Sequence, residues 1–433
     1  MHSRPSSAAI IWARAAILIT VLAWFAYMVT TIMRMLIEGP QESFVFHLQT
    51  WIYGLTITGL TFSALMYLTA RYGAMVRFRE HRRVERALID EHFAESDDTV
   101  TVLIPSYDEE PEVVRYTLWS AALQEFPELG IVLLIDDRAE GLQGEELARL
   151  NRTRGLLAEI SEALQAPLAE AKRSLEAFQK VAPRALKESE LASTGLAITA
   201  PGPDDARRAA DAYAAAAAWL DNMAATETMH DHMSEFFAEQ VLLGLSSDLR
   251  LTRLALEAAA DQGSSPDWER LAQLHRRLVW IFSADLSYFE RKQYASLSQE
   301  PNKAMNLNSY ISLMGGRYRI DSSTGEKILE RIGRHDDADA DADLVIPDSR
   351  YLLTLDADSQ LLRDYCVRLV YLLEQPENER VAVTQTPYSS FRGAPTRIER
   401  IAGATTDLQH IQHQGLTYFN ATFWVGANAV IRK

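Results

Sequence analysis

The chain of 433 residues is too long for one small domain, and with 48% hydrophobic and 24% charged residues it can build a sizeable core. Collagen-like, disulfide-scaffold and wholly disordered classes are excluded, and the single cysteine, Cys366, cannot form an internal disulfide, which points to a reducing compartment. Its 43 Lys and Arg against 59 Asp and Glu leave a net charge of −16, which excludes broad electrostatic capture of nucleic acid. An acidic protein that takes a phosphate-bearing ligand needs a local basic group or a bridging divalent cation.

The first elements are apolar. Ala15 to Met33 and Thr50 to Ala70 run without a formal charge, each long enough to cross the roughly 30 Å of a bilayer core. Trp24, Tyr27, Trp51, Tyr53 and Tyr67 suit the interfaces. Buried core helices and a cleaved signal peptide are the alternatives, but the first stretch exceeds a signal peptide's apolar region and a second follows closely. Arg71, Arg77, Arg79, Arg82, Arg83 and Arg86 crowd the exit of the second stretch, Arg4 and Arg14 precede the first, and the connecting loop holds mainly Arg34. By the positive-inside bias both ends face the cytoplasm, giving an inner-membrane, multi-pass anchor with the bulk of the chain in the cytoplasm.

From Thr99 the pattern becomes that of an α/β parallel sheet. Val100 to Ile104, a helix over about 112–125, and Ile131 to Ile135 alternate strand and helix. Strand-like runs return at Leu286 to Phe289, Tyr351 to Leu355 and Val381 to Thr384, with a helix over about 363–374. Between them, Leu147, Leu150, Leu157, Ile160, Leu164 and Leu168 recur at helical spacing, Pro167 and Pro183 mark breaks, and Ala209 to Ala218 is almost pure helix former. Thr194 to Asp205 reads as a loop joining two helical hairpins. The expected organisation is a cytoplasmic N-terminus over 1–14, membrane helices over 15–33 and 50–70, a split α/β domain over 99–140 and 284–433, and a helical insertion over 141–283. The insertion packs on itself or on a protein partner.

The strongest chemical signal is Leu352 to Ser359, where an apolar strand ends in Asp356-Ala357-Asp358. Residues i and i+2 of an extended chain point the same way, so both carboxylates can converge on one Mg2+ or Mn2+ and bridge it to a diphosphate. A solvated turn with capping aspartates is the plain alternative. His335 to Asp343 holds five aspartates but lacks an apolar lead-in, and reads as an exposed acidic loop. Asp136 and Asp137 follow another strand, and Pro105-Ser106-Tyr107-Asp108-Glu109 ends the first. Tyr107 could lie against a base while a carboxylate accepts from its ring N–H; Asp108 and Glu110 could equally mark a helix N-terminus. Lys303, near Asn306 and Asn308, offers the local positive charge. His230, His232, His410 and His413 lack any metal-site spacing and read as surface or packing residues. Phosphate-loop, dinucleotide and nucleophile-elbow motifs do not occur.

Read in order, Val102 to Glu110, Ile135 to Asp137, Lys303 to Asn308, Leu355 to Asp358, Gln385-Thr386-Pro387 and Asn420 to Arg432 resemble the inverting family 2 glycosyltransferases, most closely the cellulose synthase and related processive membrane β-glycan synthases. The resemblance implies a GT-A, Rossmann-like nucleotide-sugar-binding domain, carrying here a large α-helical insertion and preceded by two transmembrane helices. It further implies a nucleotide-sugar donor, usually a UDP-sugar, and a glycan acceptor. Carried across, Tyr107, Glu109, Asp136 and Asp137 would contact the nucleoside, and Lys303 would approach the donor. Asp356 and Asp358 would hold the metal on the diphosphate. Gln385 and the 423–429 segment would line the donor and acceptor side. Arg138 stands where the family usually has a small residue. The family's Thr-Glu-Asp general base and Gln-x-x-Arg-Trp motif do not occur, so the base is expected beyond Lys433 in a longer synthase. A catalytically incomplete nucleotide-sugar-binding membrane subunit or scaffold is the alternative.

Overall fold

The computed structural model describes residues 4–40, 43–94, 96–137, 141–182, 200–323, 325–333, 342–386, 389–391, 393–426 and 428–433. Arg138, Pro183, Thr194 to Thr199, most of the acidic stretch from His335, Pro387 and Ala427 lie outside these residues. The chain divides into two compact units, Met1–Arg83 with Pro387–Val425, and Val84–Thr386 with Gly426–Lys433.

In the first unit, α1 (Ser7–Glu38, with a π turn at Met28–Ile32) and α2 (Phe44–Glu80) are both long and apolar enough to cross a membrane. Each overruns the uncharged stretch that marks it in sequence, because a charged side chain that snorkels does not interrupt backbone hydrogen bonding. Ser6 caps α1 by accepting from Ala9 N–H at 3.1 Å, and Ser43 caps α2 by accepting from Phe46 N–H at 3.3 Å. Little of either apolar stretch is buried; Leu18, Leu22, Phe25, Leu55, Leu60 and Phe62 are exposed. Neither is buried to the extent that a core helix of a soluble protein is. Their mutual contacts are polar and small: Trp24 Nε1 donates to Thr58 Oγ1 at 3.3 Å, the Tyr27 and Tyr53 hydroxyls meet at 2.5 Å, and Gly54 lets Met28 and Ile32 approach.

The same unit holds α11 (Arg397–Tyr418), begun by a reciprocal Thr396–Glu399 capping box. It packs on α2 through two glycines. A Cβ at Gly415 would run into the Ala70 backbone, and one at Gly73 would reach Gly415 O at 2.8 Å. Arg77 Nε donates to Gln414 Oε1 at 3.1 Å beside an edge-on Tyr72–Tyr418 pair. His410 packs by Phe78 and His413 by Phe423, in keeping with a packing role. Residues 387–425 thus fall in the unit of the N-terminal helices, whereas the sequence pattern predicts one continuous sheet-domain segment over 284–433. Gly415→Val is expected to destabilise this unit by about 1–3 kcal/mol through overpacking against backbone that cannot move aside. Thermal unfolding in detergent, compared with an exposed control such as Gly59→Ala, measures it.

The second unit is a mixed α/β domain. Its sheet of six strands runs β3 (Asp285–Phe289), β2 (Glu128–Ile135), β1 (Thr99–Ser106), β7 (Tyr351–Thr354), β9 (Ala429–Arg432), β8 (Val383–Gln385). The first four are mutually parallel, with Val102 opposite both Ile131 and Leu353. β9 is antiparallel to both neighbours, so the sheet is not wholly parallel. β4 (Gly316–Asp321), β5 (Ile328–Arg331) and β6 (Leu344–Ile346) form a small antiparallel sheet that the hydropathy pattern did not announce.

Strand alternation divides the core in two. Val100, Val102, Ile104, Ile131, Leu133, Tyr351 and Leu353 face one layer, with α4 (Pro111–Ala122), α10 (Tyr365–Glu374) and the inserted helices. Leu103, Val132, Leu134 and Leu352 face the other, with α9 (Lys303–Leu313). Both faces of β1, β2 and β7 are covered, which is why these central strands read as continuous apolar runs.

The insertion lies between β2 and β3. It comprises α5 (Gly144–Val181), α6 (Pro203–Thr226), a helix α7 over 232–261 with a π turn at Phe237–Leu242, and α8 (Trp268–Phe282). Two sequence expectations are corrected. Pro167 does not break α5: it sits on the buried face with Leu157, Ile160, Leu164, Ala171 and Phe178, and that burial outweighs the roughly 3 kcal/mol an interior proline costs. Pro203 to Asp205 are the first turn of α6, not loop, because proline at N1 loses no intrahelical bond and Asp205 accepts from Gly202 N–H at 2.8 Å.

Candidate active site

Four parallel strands end at one edge, and each delivers polar groups there. β1 leads into Ser106, Tyr107 and Glu109; β2 into Asp136 and Asp137; β3 into Glu290, Arg291 and Lys292; β7 into Asp356 and Asp358. Ligands of open α/β sheets bind outside such carboxyl ends. Two adjoining cavities open here, of about 580 and 410 Å3, sharing Ser106, Tyr107, Glu109 and Pro301.

The smaller cavity is lined by Asp356, Asp358, Glu109, Asp136, Lys303 and Asn306 among others. Lys303, the first residue of α9, forms an ion pair with Asp356. Glu109 holds its proton more tightly than an ordinary carboxyl, first because it is partly buried and then because Asp358 and Asp356 put negative charge beside it. The three carboxyls therefore share one field. The turn carrying the two aspartates is pinned by Asn428, whose Oδ1 accepts from Asp356 N–H at 3.2 Å and whose Nδ2 donates to Ser359 Oγ at 3.2 Å. Asn428 sits in the left-handed region at φ 50°, tolerated by Asn better than by most side chains, and its carbonyl accepts from the Tyr365 hydroxyl at 3.0 Å.

The larger cavity is bordered by Tyr107, Asp137, Lys292 and the start of α5. Tyr107 is exposed, with the Lys292 ammonium 5.6 Å from its ring centroid. Asp137 is held above the usual carboxyl range by burial, partly offset by Lys292. Asp136 behaves differently: it is 4% exposed and forms an ion pair at 2.6 Å with Arg291, itself fully buried, while its carbonyl accepts from Lys292. Its carboxylate anchors the floor, leaving Asp137 as the acid that opens to the larger cavity. Gln385 ends β8 opposite Ala429, which is also opposite Thr354, so it reaches the same sheet edge two strands from Asp356, but lines neither cavity. Arg291, Lys292, Arg149 and the pinning role of Asn428 were not read from sequence. Of these only Asn428 lay in a segment singled out there.

A divalent cation fits this donor set in one way. Among the described residues no group of three or more His, Cys, Asp and Glu could hold a metal ion. Two carboxylates in a shared negative field supply half a site, and Mg2+ or Mn2+ commonly takes one or two carboxylates with substrate phosphates completing the shell.

Residues 351–433 match the model of the family described as glycosyl transferase family group 2. The match supports a glycosyltransferase. It opens at β7 and takes in Asp356, Asp358, Gln385 and Asn428, the part of the edge richest in the acidic turn and its support. Glycosyltransferase chemistry implies a nucleotide-sugar donor and an acceptor. No curated protein matches the chain.

Proposed function

We propose that this chain is a membrane-anchored, inverting GT-A glycosyltransferase that moves a sugar from a nucleotide-sugar, a UDP-sugar in our reading, to a glycan acceptor at the cytoplasmic face. The observation that carries this is the convergence of Asp356, Asp358, Glu109 and Lys303 on a cavity that adjoins one bordered by Tyr107 and Asp137 and shares four lining residues with it. One end suits a diphosphate and the other a nucleoside. In this reading Tyr107 packs against the base and Asp137 accepts from a ring N–H, with Glu109 nearby and Asp136 tied to the buried Arg291. Asp356 and Asp358 would hold Mg2+ or Mn2+, whose charge would offset that of the leaving diphosphate. Lys303 exchanges its ion pair with Asp356 for a donor phosphate oxygen, answering the charge problem posed by a protein of net charge −16. Gln385 borders the sugar and acceptor side.

Anchoring rests on α1 and α2, whose exposed apolar surface calls for lipid, and orientation on the arginines from Arg71 to Arg86. Membranes containing the complete gene product, so that the general base expected beyond Lys433 is present, are given radiolabelled UDP-sugars and MnCl2 and are expected to form labelled glycan, with EDTA abolishing it. Manganese-dependent UDP binding without transfer would leave a nucleotide-sugar-binding subunit. Failure to bind UDP at all would remove the reading.

A further inference from the structure

The inserted helices do more than pack on one another: their first helix forms a wall of the larger cavity. Glu146, Arg149, Leu150 and Thr153 all line it, and their spacing of i, i+3, i+4, i+7 places them on one face of α5. Leu150 and Thr153 are buried, so this part of the wall is fixed by the core. Arg149 reaches across to form an ion pair with Asp108. With side chains 35% and 59% exposed, that pair adds little stability. Its consequence is geometric. Asp108 is held in the left-handed region at φ 54°, and its N–H donates to Asp137 Oδ1 at 3.3 Å. The Tyr107–Glu109 loop is thereby fixed from below by Asp137 and from the side by Arg149, and both Tyr107 and Glu109 face the two cavities.

We propose that α5 is the nucleoside wall of the donor site, with Arg149 a positioning residue that holds the Tyr107–Glu109 loop over the nucleoside. This rests on the glycosyltransferase reading above. Among the described residues the smaller cavity, with Asp356, Asp358 and Lys303, is lined by none from α5, so the two halves of the ligand are separable by experiment. The full chain in nanodiscs is titrated calorimetrically, in MnCl2, with UDP and separately with inorganic pyrophosphate. Arg149→Ala is expected to weaken UDP binding about tenfold and to leave pyrophosphate binding unchanged; Arg149→Lys, which can still reach Asp108, is expected to recover most of the loss. Unchanged UDP affinity in Arg149→Ala, or a parallel loss for both ligands, overturns the proposal while leaving the glycosyltransferase reading intact. Wild-type protein that binds neither ligand overturns both.

Discussion

Asp358→Asn is expected to lower sugar transfer by on the order of a hundredfold or more while leaving the fold intact, since a metal stabilises transition-state charge by several kcal/mol and each 1.4 kcal/mol is a factor of ten. Asp358 is the cleaner of the two aspartates to test. It is exposed, so replacing one oxygen by an amide nitrogen perturbs no core packing and should change stability by no more than about 0.5 kcal/mol. Asp356→Asn would also break the ion pair to Lys303 and disturb the turn that Asn428 pins, mixing two causes. The substitution has a second readout. Removing the Asp358 charge takes away one of the influences that raise the proton affinity of Glu109, so the Glu109 carboxyl is expected to titrate at lower pH in the variant. Parallel measurement of transfer from a UDP-sugar and of manganese-dependent UDP affinity separates loss of cation from loss of donor. Unchanged transfer would take the metal role away from Asp358.

The reason this pair was legible in the sequence is local. An apolar run over Tyr351 to Leu355 marks a strand end, so acids just beyond it fall at the sheet edge. The same holds for the ends of β1 and β2. The two aspartates themselves sit in a turn pinned by Asn428, not on extended chain as their i, i+2 spacing suggests. What was not legible depends on pairing between distant segments. Arg291 matters only because β3 joins β2 after the long insertion, bringing a buried guanidinium under Asp136. Helical periodicity in α5 shows which face is apolar, not that its first turns look onto a cavity, so nothing in the pattern singles out Arg149. β9 is only Ala429–Arg432, too short for its alternation to reveal that it enters the sheet antiparallel between β7 and β8. Gly73 and Gly415 are ordinary glycines until two helices cross at them. Pro167 shows the converse error, a strong local signal overruled by the burial of the face on which it lies.

Glu125→Gln should be among the most damaging single changes to the sheet domain, although it keeps the side chain's size. Glu125 follows α4 in a position without solvent access, and both its oxygens are bonded to Arg277 of α8, at 2.8 Å to Nε and 2.9 Å to Nη2. Arg86, at the start of helix α3 (Arg86–Ala94), also pairs with it. One carboxylate thus ties α3 and α8 to the segment leading into β2. Burial alone would raise the proton affinity of Glu125, but the two guanidiniums overcome it and bring the carboxyl down to about 2. Arg277 is correspondingly pushed up and stays charged throughout. Removing the negative partner leaves Arg277 buried without its counter-charge, at a cost of about 3–5 kcal/mol. The sign of the pH dependence follows from the same depressed value. The unfolded chain binds a proton at Glu125 near the ordinary carboxyl value and the folded chain only near 2, so the stabilisation is complete above about pH 4.5 and fades as pH falls from there towards 2. Thermal unfolding followed by tryptophan fluorescence between pH 7 and pH 3 is expected to show the wild type losing stability across the acid range. In Glu125→Gln the midpoint should already be low at pH 7 and lack that part of the slope. A variant as stable as wild type at pH 7 would mean that the Arg86–Glu125–Arg277 cluster is solvated in the native protein.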